Sequence, residues 1–213
     1  SSYNFFSVTA IGYIDGEKAL RRNGMKLGDD IWVSGDLGEP ITALQLQKES
    51  KKLIQPIPKV DLGLKIREFA TSSIDLSDGL SSDLRHLILA SFSGNSDKIY
   101  VELYFEEMLK CLSQNMLNWF AGKKDNLDLV MLALQSGDEY ELCFSAPVDA
   151  RTKIREIGKN LNLPLSLIGS VRERSSEKNF NFVNNRNDGL LWLKSLTNTF
   201  DNIFVEKSGY VHF

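Results

Sequence analysis

Two short acidic runs in this chain have residue types and spacing suited to phosphate chemistry. The first, Ile74-Asp75-Leu76-Ser77-Asp78-Gly79-Leu80, joins a β-rich stretch to a run in which Leu80, Leu84, Leu87 and Ile88 recur on one helical face. A strand-to-helix junction leaves backbone N–H groups unpaired at the positive end of a helix dipole, a setting that suits phosphate. Asp75 and Asp78 flank Ser77 there. Magnesium takes one or two protein carboxylates and completes its shell with water and phosphate oxygens. The junction therefore predicts a site for a metal–nucleotide phosphate complex, with Gly79 letting a ligand approach the backbone. A plainer role competes with this one. Ser and Asp are favoured N-caps, and an acid such as Asp83 is at home in a first helical turn. A cap needs only one side chain, however, and Asp75 at the end of the strand has none to make.

The second run is Ser136-Gly137-Asp138-Glu139-Tyr140-Glu141. It follows a helical stretch and opens a strand, so Gly137 is expected as the helix C-cap. Alternation puts Glu139, Glu141 and Cys143 on one strand face and Tyr140, Leu142 and Phe144 on the other. Clustered acids repel one another unless a cation or water screens them. Either this is a solvated edge strand, or a carboxylate here meets a cationic substrate or a hydrated metal. Gly35-Asp36-Leu37-Gly38 before a helix could cradle phosphate, but no Lys stands at P-loop spacing. Arg21 and Arg22 could neutralise phosphate charge. Trp32, Trp119 and Trp192 read as core or rim anchors rather than ligand platforms.

The elements that must position these runs alternate in type. Strands are expected at Ser7–Ile14, Ile31–Val33, Thr71–Ile74, Lys98–Tyr104, Tyr140–Phe144 and Leu165–Val171. Helices are expected at Pro40–Lys48, around Leu62, Ile66 and Phe69, from Leu80, at Phe105–Phe120, at Leu127–Leu134 and at Ala150–Leu161. Gln55-Pro56-Ile57-Pro58 is a stiff break, and Arg172–Asp188 reads as a hairpin or loop. The result is an α+β layered domain. The chain has 213 residues and a net charge of -3, which argues against bulk nucleic-acid or anionic-membrane binding. Its two cysteines, Cys111 and Cys143, form no zinc or disulfide pattern and suit a reducing cytoplasm. Its two histidines are too few for a His-rich metal centre. No apolar run reaches the roughly 20 residues of a membrane-spanning helix. The start Ser1-Ser2-Tyr3-Asn4 has no initiator Met and no signal-peptide pattern, so the chain is expected to be a piece of a longer one.

Ser73–Leu80 and Gly137–Phe144 together resemble the signature pair of the thiamine-monophosphate kinase family. Ala19–Asp29, Val33–Gly38 and the ending Gly209–Phe213 resemble further family stretches, in the family's order along nearly the whole chain. The resemblance implies ATP-dependent conversion of thiamine monophosphate to thiamine diphosphate. It also implies the α/β/α-layered C-terminal domain of the aminoimidazole-ribonucleotide synthetase type, partly ferredoxin-like, with a mixed sheet flanked by helices. Asp75 and Asp78 would bind magnesium, and Ser77 and Arg22 would contact ATP. Asp138 stands where the family has a substrate-contacting Glu, and Phe213 where an aromatic meets the thiamine moiety. Residues 1–27 would be the tail of an N-terminal domain or a connector, and 28–213 the ATP- and magnesium-binding domain. An N-terminal half carrying further metal-binding acids would be missing, leaving this piece inactive alone, and the intact protein would be a cytoplasmic homodimer. The alternatives are a sibling ATP-using enzyme of the same superfamily, or a non-catalytic module holding a nucleotide or thiamine phosphate.

Overall fold

The computed structural model describes residues 6–14, 19–174, 191–194 and 203–204. Its strands are β1 (Asp30–Ser34), β2 (Ser72–Asp75), β3 (Ile99–Tyr104), β4 (Leu142–Ala146), β5 (Leu165–Glu173), β6 (Leu191–Lys194) and β7 (Ile203–Phe204). They form one sheet in the order β2-β4-β1-β5-β3-β6-β7. The pairings from β2 through β3 are antiparallel, whereas β6 runs parallel to β3, so the sheet is mixed.

Strand alternation divides the core in two. Ile31 and Val33 of β1 face one side, packed with Ile74, Val101, Leu103 and Cys143. On that side lie α4 (Leu80–Ser91), α5 (Phe105–Lys110), α6 (Gln114–Trp119) and α7 (Asn126–Leu134), contributing Leu84, Met108, Met116 and Val130. Trp32 faces the other side and stacks on Phe144 of β4, their ring centroids 6.5 Å apart. There α3 (Val60–Ile66) adds Leu62 and Ile66, and α8 (Arg151–Leu161) adds Ile154 and Ile157. Helices therefore cover both faces, the three-layer α+β arrangement expected from the sequence. A bidentate pair ties α8 to β1: Arg151 donates to buried Asp30 at 2.6 and 2.7 Å.

The structure departs from the sequence pattern in several places. Ser7–Ile14 is no strand; Val8, Ile11 and Tyr13 are more than 90% exposed, and β-formers without a neighbouring chain to bond have nothing to hold them extended. Phe105–Phe120 is two helices. At Leu112 the chain extends to bridge Leu37, whose N–H donates to the Cys111 carbonyl and whose carbonyl accepts from Ser113. Ser113 then caps α6 by accepting from the Met116 N–H. A short helix, α2 (Lys51–Ile54), follows α1 (Glu39–Leu46) where no periodicity signals one. Most of Arg172–Asp188 lies outside the described residues. Both cysteines are free and buried. No helix among the described residues is long and apolar enough to cross a membrane.

Ile154 is fully buried between α8 and the sheet. Replacing Ile154 with Ala should lower unfolding stability by about 2–5 kcal/mol, measured as a shift in the urea midpoint with an unchanged slope.

Candidate functional site

The two acidic runs, some sixty residues apart in sequence, meet at one end of the sheet. β2 and β4 pair in register, with Asp75 opposite Leu142. Beyond the strands three backbone bonds continue the match. Leu76 N–H donates to the Glu141 carbonyl at 2.8 Å, Tyr140 N–H to the Leu76 carbonyl at 2.8 Å, and Asp138 N–H to the Ser77 carbonyl at 2.9 Å. The metal-type turn and the acidic loop are thereby one unit. Gly79, with φ of 109°, needs glycine for packing: a Cβ there would lie 3.1 Å from the backbone of Gln135.

Two of the turn's amide donors are already occupied. The carboxylate of Asp83, folding back from α4, accepts the N–H groups of Ser77 and Asp78, both at 3.1 Å. Asp83 therefore holds the Ser77 and Asp78 amides from within the chain. Asp83 is buried, and burial, joined by the charges of Asp78 and Asp75, raises its pKa from 3.8 to about 6. Asp75 and Asp78 themselves are exposed. Among the described residues no group of three or more His, Cys, Asp or Glu side chains forms a metal cage. Two open carboxylates suit a hydrated magnesium ion that takes its remaining ligands from water and phosphate. Asp75 and Asp78 would hold it.

The second run is not a solvated edge strand. β4 is interior, and Glu139 and Glu141 are buried. Asp138 (φ 57°) and Tyr140 (φ 52°) are left-handed, so the strand begins only at Leu142 rather than Tyr140, although Glu139 and Glu141 still turn inward and Tyr140 outward. Nor is Gly137 the helix C-cap; Gln135 is. The inward acids are neutralised within the chain. Glu139 accepts the Gly38 N–H at 2.5 Å and Lys52 Nζ at 2.8 Å. Glu141 accepts Ser34 Oγ at 2.5 Å and pairs with Lys59 at 3.1 Å and Lys52 at 3.6 Å. Lys52 also donates to the Asp36 carbonyl. Burial pushes Glu139 upward despite these cations, and the carboxylates outweigh burial to raise Lys52. Gly35-Asp36-Leu37-Gly38 therefore cradles a carboxylate of the chain itself.

A cavity of about 550 Å³ opens beside the outer edge of β2. Arg22, Lys59, Asp75 and Tyr140 line it, with Pro56, Pro58 and Leu142 as apolar walls. Arg22 reaches it because the segment before β1 runs along β2, where the Ser73 N–H donates to the Arg21 carbonyl. Tyr140 also donates its hydroxyl to Asp138 at 2.9 Å. Of the residues singled out in the sequence, Arg22 and Asp75 face this cavity, and Ser77, Asp78 and Asp138 stand on the adjoining turn and loop. Phe213 lies outside the described residues. Lys52 carried no motif; Tyr140 stood in the second acidic run and Asp83 was read only as a first-turn acid, while Pro58-Lys59 was the available signal for Lys59.

No protein-family model matches the chain. The chain is 31% identical to the thiamine-monophosphate kinase of Buchnera aphidicola subsp. Schizaphis graminum, over 97% of its own length and 59% of the relative's. The structure of thiamine-monophosphate kinase from Stenotrophomonas maltophilia superposes with a TM-score of 0.64 at 32% identity, covering 75% of this chain and 52% of that one. Thiamine-monophosphate kinases are thus similar to this chain along most of its own length. AaThiL, solved in complex with AMPPCP and TMP, has a TM-score of 0.63 at 25% identity, over 91% of this chain and 54% of that one. The hydrogenase maturation protein HypE shares the fold alone, at 14% identity and a TM-score of 0.60 over 90% of this chain and 56% of that one. The chain spans little more than half the length of the thiamine-monophosphate kinases it matches.

Two expectations follow from this site. Gly35 has φ of 63°, and a Cβ would fall 2.4 Å from the Glu141 carboxyl; Gly35→Ala should destabilise by about 2–4 kcal/mol, read by denaturant unfolding. The folded-state pKa of Asp83 exceeds its unfolded value, so its proton is bound more tightly in the folded chain and its contribution falls as pH rises from about 4 to about 6. That loss is on the order of 3 kcal/mol. Unfolding measured across this range should show the Asp83→Asn variant gaining on the parent by a comparable amount.

Proposed function

We propose that this chain carries the C-terminal share of an enzyme that transfers the terminal phosphoryl group of ATP to thiamine monophosphate, giving ADP and thiamine diphosphate. The observation that carries the reading is the convergence of Asp75 and Arg22 on one cavity, with Asp78 on the adjoining turn and Tyr140 and Asp138 joined to that turn by backbone bonds. AMPPCP is an ATP analogue, and its presence with TMP in AaThiL supports the same pair of ligands here.

Bringing two phosphorylated molecules together concentrates negative charge, so such a reaction depends chiefly on positioning and neutralisation. Magnesium held by Asp75 and Asp78 would supply charge neutralisation between the phosphates. Arg22 offers a guanidinium to nucleotide phosphate, and Ser77, between Asp75 and Asp78 in the turn, would contact the same nucleotide. Asp138 and Tyr140 present polar groups to the phosphate acceptor, while Pro56, Pro58 and Leu142 give it an apolar wall. Phe213 would add an aromatic contact to the thiamine moiety. The remaining metal-binding acids would come from an N-terminal domain, within a cytoplasmic homodimer. The buried free thiols of Cys111 and Cys143 are in keeping with a reducing compartment.

The test is production of ADP and thiamine diphosphate from ATP, magnesium and thiamine monophosphate by the intact protein carrying this chain. Turnover is expected, falling at least about 100-fold in the Asp75→Asn variant, and this chain alone is expected to make no product. ATP binding without product would instead favour a non-catalytic nucleotide module.

A further inference from the structure

We propose that Lys52 is a positioning residue that, through Glu139 and Glu141, holds Asp138 and Tyr140 in the left-handed conformation that presents them to the cleft. The inference rests on the assignment of that cleft to thiamine monophosphate and nucleotide, and adds what fixes its acceptor-facing wall. Along residues 138–141 burial alternates: Glu139 and Glu141 point inward, Asp138 is half-buried and Tyr140 is exposed. The two residues with positive φ are the outward pair. A tyrosine rarely adopts this region, and such conformations persist only where the surroundings over-determine them.

The inward carboxylates provide that determination. Glu139 is pinned between the Gly38 N–H and Lys52, and Glu141 between Ser34, Lys59 and Lys52. Lys52 reaches both acids and also the Asp36 carbonyl, so one ammonium spans the whole interval. It is delivered by α2, a single turn with no buried residue. With so little apolar packing in α2, the ammonium's polar contacts are its main tie to the loop. Releasing Lys52 frees alternate residues of the loop, and Asp138 and Tyr140 relax toward extended geometry.

Lys52→Met alone leaves Glu139 buried without its cation and threatens folding. The decisive variant is therefore the Lys52→Met, Glu139→Gln pair, compared with Lys52→Arg in the intact protein. In the double variant the melting temperature and the binding of magnesium–AMPPCP should stay near the parent's. The KM for thiamine monophosphate should rise about tenfold with kcat little changed, and Lys52→Arg should restore much of it. The backbone chemical shifts of Asp138 and Tyr140 should leave the left-handed range. An unchanged KM together with unchanged shifts overturns the proposal. So does a parallel loss of both ligands and of thermal stability, which marks a merely structural lysine. If the parent makes no thiamine diphosphate, the proposed function fails by itself, and the shifts still decide the role of Lys52.

Discussion

Three backbone hydrogen bonds, from Leu76, Tyr140 and Asp138, join the acidic turn after β2 to the acidic loop before β4. Everything else at this end of the sheet depends on that junction. It sets Asp75 and Asp78 beside Asp138 and Tyr140, in a loop whose two left-handed residues depart from ordinary strand geometry. The antiparallel pairing of β2 and β4 brings the runs near one another. The backbone bonds beyond the strands fix which carboxylates face outward.

So many acids at one place raise an electrostatic problem, and the chain answers it with two different devices. Asp83 is buried, so its proton is held more tightly than in a free side chain even though two backbone amides favour its charged form. Glu139 and Glu141 are matched by lysines brought in from the Lys51–Ile54 turn and the Pro-rich loop after it. A buried charge left without a partner is strongly destabilising, so these inward acids are kept paired inside the protein. Asp75 and Asp78 differ in being exposed, with charge available to something outside the chain. That division between satisfied and open carboxylates is the physical basis for assigning the metal to the turn.

Much of this was legible beforehand because it rests on local pattern. The helix from Leu80 and the helix ending at Leu161 follow apolar periodicity, and β1, β3 and β5 follow from runs of β-formers. The turn at Asp75–Asp78 is visible as a strand running into a helix. What escaped the sequence depends on tertiary partners. Cys111–Ser113 interrupts a helical run because Leu37 offers a backbone to pair with. Ser7–Ile14 has β composition but no strand to pair with among the described residues. The partners of buried Glu139, Lys52 and Gly38, come from about ninety and one hundred residues upstream, and no local spacing encodes them. The Asp83 back-bond engages the Ser77 and Asp78 amides where the sequence showed only an acid in a first helical turn.

The central claim is that the two acidic runs build one metal–phosphate site. It is tested most directly by a crystal structure of the intact protein with manganese in place of magnesium, together with AMPPCP and thiamine monophosphate. The account predicts an anomalous manganese peak bridging Asp75, Asp78 and the phosphate oxygens, with Asp138 and Tyr140 on the acceptor side of the same cleft. Manganese bound elsewhere, with Asp75 and Asp78 facing solvent, would contradict it.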